Sequence, residues 1–226
     1  MRQHPSKKIP PARRTALFRV AAAEFAAHGY RQASLNRIIL AVGMSKSSFY
    51  HYFKNKSDLF QQTLAQPLAP IIALGTGFDF QTLDAQSFWP FFEGLIAAAS
   101  QLADTQPELV DVGHMFYRAL EQPEGQNLTG GILDLATEWA TGLLCRGQDL
   151  GLLRKDLPQS LLIDSVMAMA MALDRWFLKN WDTITGTDRQ ALGARTFDLF
   201  RRLLEKRPDQ PPDAPPFTIA GSPDKP

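Results

Sequence analysis

Apolar residues recur at spacings of three and four along most of this chain, as they do on the buried face of an α-helix. No series of segments alternates apolar and polar residues as half-buried strands do, and no internal repeat is evident. The pattern therefore predicts an all-α fold. The first four helices are predicted at about 12–28, 35–42, 46–52 and from 55 onwards, and five longer ones at about 85–104, 107–121, 127–150, 159–181 and 188–206.

Short polar residues and glycines mark the ends of the first helices. Ser34, Ser45 and Asn55 each precede an apolar-periodic segment and are predicted N-caps. Gly29 and Gly43 follow the first and second helices, where a left-handed residue is needed to end a helix. The two short helices around Gly43 therefore predict a helix-turn-helix.

Prolines and glycines set the limits further along the chain. We expect helix four to bend or end near Pro67 and Pro70, because proline lacks the N–H that a helix interior uses. Residues 75–83 contain Gly75 and Gly77 and are predicted to form a loop.

The charged residues are distributed unevenly. Residues 1–58 hold 11 basic and two acidic groups, a net charge of +9, whereas the other 168 residues hold 13 basic and 21 acidic groups, a net charge of −8. A basic N-terminal region on an acidic body favours nucleic-acid contact through one end of the molecule.

Several other classes of protein are not supported by the sequence. None of the histidines, at positions 4, 28, 51 and 114, stands at a metal-ligand spacing from another or from Cys145, the only cysteine. There is neither a glycine-rich phosphate loop nor a nucleophile elbow, so we expect no enzyme, no metal and no cofactor. No apolar run approaches the roughly 18 residues of a membrane span, and no secretory signal is evident, so a cytoplasmic location is expected.

The third predicted helix has the amphipathic character that a DNA-recognition helix requires. Phe49 and Phe53 are one turn apart and suit a core-facing side, whereas Lys46 and Tyr50 suit the opposite side. Three serines stand at the same end of the helix, where a short hydroxyl is able to approach a phosphate or a base edge: Ser45, Ser47 and Ser48.

Residues 12–59 resemble the N-terminal DNA-binding domain of TetR-family transcriptional regulators. The matching elements are Ala21 through Phe25, Gly29-Tyr30, Ser34, Ile38, Val42 through Lys46, Tyr50 through Phe53, and Lys54 through Leu59. Three positions depart from the family, which usually has Ala at the position of Val42 and often has Ala at that of Leu40 and Gly at that of Ser47. Ser47 stands at the tip of the recognition helix, so no operator sequence is carried over from the family.

The resemblance implies a set of DNA contacts. The major-groove residues are expected to be Lys46, Ser47, Ser48 and Tyr50. The phosphate contacts are expected to be Ser34, His51, Tyr52 and Lys56. Asn36 is expected to reach a base or a phosphate, and Ser45 to cap helix three or contact DNA.

The resemblance also implies a function for the C-terminal two-thirds. In the family this domain commonly encloses an effector cavity and forms the dimer, although aromatic stripes of this kind also occur in ordinary cores. The effector residues are expected among Phe92, His114, Phe116, Tyr117, Trp139 and Met171. The last two long helices are expected to form a homodimeric four-helix bundle.

These inferences give four predicted regions. They are a disordered basic arm at 1–11, a helix-turn-helix DNA-binding domain at 12–58, a helical effector-binding and dimerisation domain at 59–206, and a disordered tail at 207–226 that contains seven prolines. The predicted function is transcriptional repression from a palindromic double-stranded DNA operator, relieved by a small apolar organic effector. The alternatives are control by a protein partner, or activation, without such an effector.

Overall fold

The computed structural model describes residues 9–75, 78–106 and 108–206. Across these ranges the regular structure is helical, and the only β feature is an isolated bridge between Leu153 and Glu205. The all-α prediction is confirmed. The helices are α1 (Pro11–Gln32), α2 (Leu35–Ala41), α3 (Lys46–Tyr52), α4 (Lys56–Gly75), α5 (Phe88–Thr105), α6 (Glu108–Leu120), α7 (Gly125–Asp149), α8 (Gln159–Lys179) and α9 (Gly186–Leu204), with 3-10 turns at Phe80–Thr82 and Trp181–Thr183.

The chain divides into two compact units. Unit 1 combines the residues up to Leu74 with Thr105–Leu133, and unit 2 combines Gly75–Asp104 with the residues from Asp134 onwards. Unit 1 therefore contains α6 as well as the helix-turn-helix. The domain limits inferred from the sequence remain a prediction; residues 1–8 of the expected arm and the whole expected tail lie outside the described residues.

The core of unit 1 joins the helix-turn-helix to α1, α4 and α6. Edge-to-face packing of Phe25 on Phe60, with ring centroids 4.9 Å apart, links α1 to α4. α3 contributes Phe49, which is fully buried. The other large buried members include Leu17, Ile38, Phe53, Leu59, Leu64 and Met115. Burial on one side of each helix accounts for the period of three and four in the sequence.

Two glycines end helices as the sequence predicts. Gly29 has φ 69° and ψ 169°, so the regular part of α1 stops before it. Gly43 has φ 61° in the turn between α2 and α3. Residues with a side chain rarely adopt these conformations, and both predictions are confirmed.

Helix four does not end near Pro67 and Pro70, because α4 continues to Gly75. A bend near these prolines remains a prediction. Each proline removes a helical N–H, but Leu59, Phe60 and Leu64 are buried in the part of the helix that precedes Pro67. Tertiary packing therefore offsets the local cost of proline within this helix.

The core of unit 2 is built from leucines surrounded by aromatic rings. Leu153 and Leu204 are buried next to the bridge, where the Arg154 N–H donates to the Leu204 carbonyl at 2.9 Å. Trp89 and Phe92 pack on Phe197 with centroid distances of 6.0 and 6.2 Å. The predicted loop at 75–83 holds the 3-10 turn, whose following residue, Leu83, enters this core.

An exposed glycine inside α7 leads to a stability prediction. Gly131 is exposed, and a Cβ placed on it meets no atom within 4 Å. Alanine loses less backbone entropy than glycine when a helix forms, so Gly131→Ala is expected to stabilise the fold by about 1 kcal/mol. Chemical denaturation measures this gain. Gly147→Ala is the opposite control in the same helix, because its Cβ would lie 2.5 Å from the Leu153 side chain and should destabilise the fold.

Candidate nucleic-acid interface

Helix α3 presents one side to the core and the other to solvent. Phe49 is completely buried, and Phe53 at the C-cap is 2% exposed. Lys46 and Ser47 are exposed on the first turn, and Tyr50 is 59% exposed one turn later. The arrangement is that of a recognition helix held from behind by apolar packing.

The predicted serine caps are present. The Ser34 Oγ accepts the Arg37 N–H at 3.4 Å at the start of α2, and the Ser45 Oγ accepts the Ser48 N–H at 3.1 Å at the start of α3. The Asn55 side chain accepts the Asp58 N–H at 2.9 Å at the start of α4. The cap hydroxyls thus have a structural function, and any DNA contact by Ser34 or Ser45 would be additional to it.

The other expected contacts differ in their exposure. His51 and Asn36 are exposed, Ser48 is half-buried, and Tyr52 is half-buried against the core of unit 1. The rings of His51 and Tyr52 meet edge to face with centroids 5.1 Å apart. Tyr52 therefore supports α3 as well as lying beside the expected phosphate contacts.

Lys56 is more closely tied to the fold than its sequence context indicates. Its Nζ donates to the carbonyl oxygens of Arg31 at 3.0 Å and Ala33 at 3.2 Å, and lies 4.8 Å from the centroid of the Tyr30 ring. Burial lowers the pKa of the Lys56 ammonium. A phosphate contact by Lys56 remains a prediction, and the structure adds a link between the ends of α1 and α4.

Glu24 connects α1 to the start of α2 and was not among the sequence predictions. Its carboxylate accepts the Ser34 N–H at 2.8 Å and the Arg37 Nε–H at 2.9 Å, while its side chain is only 11% exposed. The hydrogen bond from Arg37 is the main cause that lowers the pKa of Glu24. One feature of the sequence could have identified it, because Glu24 and Asp58 are the only acidic residues before residue 59. Asp58 is structural too, since it accepts the Lys54 N–H at 2.8 Å.

The Glu24 contacts lead to a pH-dependent prediction. Glu24→Gln is expected to destabilise the protein by about 2 kcal/mol at pH 7, because charge-assisted hydrogen bonds in a mostly buried site are lost. The folded-state pKa of Glu24 is lowered, so its contribution is present above the unfolded-state pKa and is lost as pH falls through the folded-state value. The difference in stability between the two proteins, measured by denaturation curves, should shrink as the pH falls from 7 to 3, and a difference that stays the same over this range would contradict this assignment.

The six expected effector residues are divided between the two units. Phe92, Trp139 and Met171 lie in unit 2, where the Phe92 and Trp139 rings pack with centroids 5.8 Å apart. His114, Phe116 and Tyr117 lie on α6 in unit 1: His114 is exposed, Phe116 packs on the core, and Tyr117 is buried. Within unit 2, the indole N–H of Trp139 is buried without a hydrogen-bond partner among the described residues.

A depression of about 500 Å³ lies in unit 1 between α1, α4 and α6. Phe18 and Val112 give it apolar walls, and Arg19 and Glu108 stand at its edge with opposite charges. None of the six expected effector residues is among those that line it. Sequence reasoning did not anticipate this depression, because the residues that form it are distributed over three helices.

No cluster of three or more His, Cys, Asp or Glu side chains in the described ranges has the arrangement of a metal site. None of the helices in these ranges combines the length and the apolar character that a bilayer span requires.

The sequence of the N-terminal region matches a known family. Residues 17–63 match the model of the bacterial regulatory proteins of the tetR family. The matched segment extends from the middle of α1 into α4 and includes the whole helix-turn-helix. No curated protein shows significant sequence similarity to the chain.

Solved structures of bacterial transcriptional regulators share the fold. FadR from Bacillus subtilis, solved in complex with stearoyl-CoA, is 18% identical and superposes with a TM-score of 0.66 over 83% of this chain and 97% of its own. NalD, the secondary repressor of the MexAB-OprM multidrug efflux pump in Pseudomonas aeruginosa, is 19% identical, with a TM-score of 0.64 over 86% and 96%. A putative tetR-family regulator from Shewanella sp. PV-4 is 22% identical, with a TM-score of 0.59 over 86% and 99%. Residues 17–63 thus form a TetR-family helix-turn-helix domain, in a chain that has the fold of TetR-family transcriptional regulators.

Proposed function

We propose that this protein binds a palindromic double-stranded DNA operator as a homodimer and represses transcription. The observation that carries the proposal is the outward side of α3, where Lys46, Ser47 and Tyr50 are exposed while Phe49 on the same helix is buried. The net charge of +9 over residues 1–58 supports it, because basic side chains supply most of the affinity for the phosphate backbone.

The proposed contacts follow from exposure and from the likeness to the family. Lys46, Ser47, Ser48 and Tyr50 line the major groove, and Asn36 reaches a base or a phosphate. Ser34, Ser45, His51, Tyr52 and Lys56 hold the backbone, with Ser34, Ser45 and Lys56 also keeping their structural hydrogen bonds. Because Ser47 occupies the tip of the helix, the sequence that is bound has to be determined directly.

Dimerisation is proposed through α8 and α9. Both helices carry large apolar side chains that are exposed in the single chain: Leu161 is 49%, Trp176 47% and Leu199 48% exposed. Phe197 and Phe200 of α9 are instead buried within the chain. Burial of the exposed residues between two subunits would remove apolar surface from water and place two recognition helices about a twofold axis.

The proposed effector is a small, mostly apolar organic molecule bound in unit 2. The support is the aromatic cluster of Phe80, Phe92 and Trp139, in which the buried indole N–H lacks a partner among the described residues and would donate to an oxygen atom of the ligand. The stearoyl-CoA bound to the Bacillus subtilis protein shows that a chain with this fold is able to hold a long apolar group. Control by a protein partner, or activation of transcription, is the alternative.

A selection experiment tests the DNA-binding proposal. The full-length protein is incubated with a pool of random-sequence DNA duplexes, and bound duplexes are recovered and amplified over several rounds. We expect enrichment of an inverted repeat whose half-sites are separated by about one helical turn or a multiple of it. Enrichment of no sequence, or equal retention of single-stranded RNA, would refute the proposal.

A thermal-shift screen of acyl and aromatic compounds then tests the effector proposal.

A further inference from the structure

The end of α1 is held by an arginine from α6 within the same unit. Because α1 ceases to be helical at Gly29, the last carbonyl groups before it need partners outside the helix. The Arg118 Nη1 donates to the carbonyl oxygens of Ala26 at 2.8 Å and Ala27 at 2.7 Å. A cationic group at this position also interacts favourably with the negative end of the helix dipole.

Two more side chains from the turn after α6 contact the same corner. Gln122 lies against Gly29 so closely that a Cβ on the glycine would be 2.3 Å from its Nε2 atom. The Glu124 carboxylate accepts from Arg31 with both oxygens, from Nη2 to Oε1 at 2.6 Å and from Nε to Oε2 at 3.1 Å. Arg118, Gln122 and Glu124 are together called the α1 clamp.

The clamped corner continues directly into the helix-turn-helix. The Ala33 N–H donates to the Gly29 carbonyl at 3.0 Å, and Ala33 immediately precedes the N-cap of α2. Lys56, in the first turn of α4, donates to the carbonyls of Arg31 and Ala33. The backbone held by the clamp is therefore the same backbone that fixes the starts of α2 and α4.

The ion pair between Arg31 and Glu124 fixes the orientation of the end of α1 more than it stabilises the fold. In the pair formed by Arg31 and Glu124 the side chains are 61% and 39% exposed, and exposed ion pairs stabilise a fold only slightly. A bidentate guanidinium–carboxylate pair nevertheless fixes the relative orientation of the groups that carry it. The pair joins residues that are 93 positions apart in the chain, so it fixes the end of α1 relative to the turn after α6.

We propose that the α1 clamp positions the helix-turn-helix for DNA binding, so that its three residues set the affinity for DNA without touching it. The inference rests on the proposed function. A recognition helix binds well when its supporting residues hold it in the bound geometry beforehand, because less order then has to be imposed on binding. Release of the clamp leaves the exposed side of α3 unchanged but allows its placement to vary.

A pair of single-charge variants tests the proposal. Glu121 is an exposed neighbour in the same turn, so Glu121→Gln and Glu124→Gln remove the same charge from nearly the same place. We expect Glu124→Gln to bind the duplex selected by the wild-type protein roughly 3- to 10-fold more weakly than Glu121→Gln does, measured by fluorescence anisotropy. Tighter binding by Glu124→Gln would show that Glu124 only withholds Arg31 from phosphate, and would overturn the proposal.

A variant of Arg118 tests the hydrogen bonds from this residue to the end of α1. Arg118→Met keeps the aliphatic length and removes the donors, and Lys155→Met is its control, because it removes one positive charge at an exposed residue between α7 and α8. We expect weaker DNA binding by Arg118→Met alone, faster hydrogen exchange of the amides at 30–34, and an unchanged slope of log affinity against log salt. A shallower slope would mean that Arg118 contacts phosphate and would contradict positioning.

Two results separate the failure of the clamp from the failure of the proposed function. If the wild-type protein selects no DNA sequence, both proposals fail. If it selects a sequence and all clamp variants bind that sequence as their controls do, the clamp alone fails. Should Arg118→Met not fold, Arg118→Lys retains the charge with a less suitable donor geometry, and its DNA affinity is compared with that of the wild-type protein.

Discussion

Replacing both Lys46 and Tyr50 by alanine is expected to lower the affinity for the selected DNA by about 100-fold or more. Each specific contact in a groove contributes roughly 1–3 kcal/mol, so two lost contacts give a change of this size. Both side chains are exposed, and the Tyr50 ring meets the Phe49 ring with centroids 5.2 Å apart while staying 59% exposed, so the melting temperature should change little. Fluorescence anisotropy and thermal denaturation on the same preparations provide the two measurements.

Single substitutions separate the contributions of Lys46 and Tyr50 to the DNA affinity. Lys46→Ala is expected to make the dependence of log affinity on log salt shallower by about one unit if the ammonium binds a phosphate. Tyr50→Phe keeps the ring and removes the hydroxyl, so it shows whether the tyrosine acts by hydrogen bonding or by packing on the bases. Lys155→Ala, at an exposed lysine of unit 2, removes the same charge at a site not expected to contact DNA. If the double variant binds as well as Lys155→Ala, α3 is not the recognition helix.

The parts of this molecule that could be predicted from sequence depend on neighbours within a few residues. Ser34, Ser45 and Asn55 cap helices through atoms only three positions away, and Gly43 has the left-handed φ that its turn requires. The same local period assigned Phe49 to the buried side of α3. Such features are determined by sequence because the groups that satisfy them are nearby in the chain.

Contacts between residues distant in the chain could not be predicted in the same way. Lys56 has the composition of a phosphate ligand, yet its hydrogen-bond acceptors are carbonyl groups 23 and 25 residues earlier. Arg118 donates to the carbonyl groups of Ala26 and Ala27, which stand 92 and 91 residues earlier in the chain. A basic side chain has the same appearance in a sequence whether it meets a phosphate or a helix C-terminus, because both are negatively polarised.

The effector residues illustrate a related limit. A helical period shows that Phe116 and Trp139 are turned inward, but it does not show which core they enter. Phe116 packs in unit 1 and Trp139 packs in unit 2. The division of α7 between the units, between Leu133 and Asp134, has no marker in the apolar pattern, because the helix is continuous across it.

Truncating Phe49 to alanine is expected to destabilise the protein by roughly 3–5 kcal/mol, the largest stability effect proposed for this chain. Its ring is fully buried, stacks on Phe53 with centroids 5.2 Å apart, and fixes the inward side of the recognition helix. Leu40→Ala in the neighbouring helix is the matched control, since it removes an apolar side chain that is 82% exposed and should change stability by less than about 0.5 kcal/mol. Chemical denaturation gives both values.

The DNA affinity of the Phe49 variant distinguishes support from contact. At a temperature where Phe49→Ala is fully folded, we expect weaker DNA binding, because Lys46 and Tyr50 remain but α3 is held less firmly. Its salt dependence should match that of the wild-type protein, since no charged group is removed. Phe49→Leu should restore most of the lost stability and affinity together, because it refills much of the cavity. If Phe49→Leu restored stability but not affinity, Phe49 itself would be in contact with DNA, and the inward side of α3 would have been assigned wrongly.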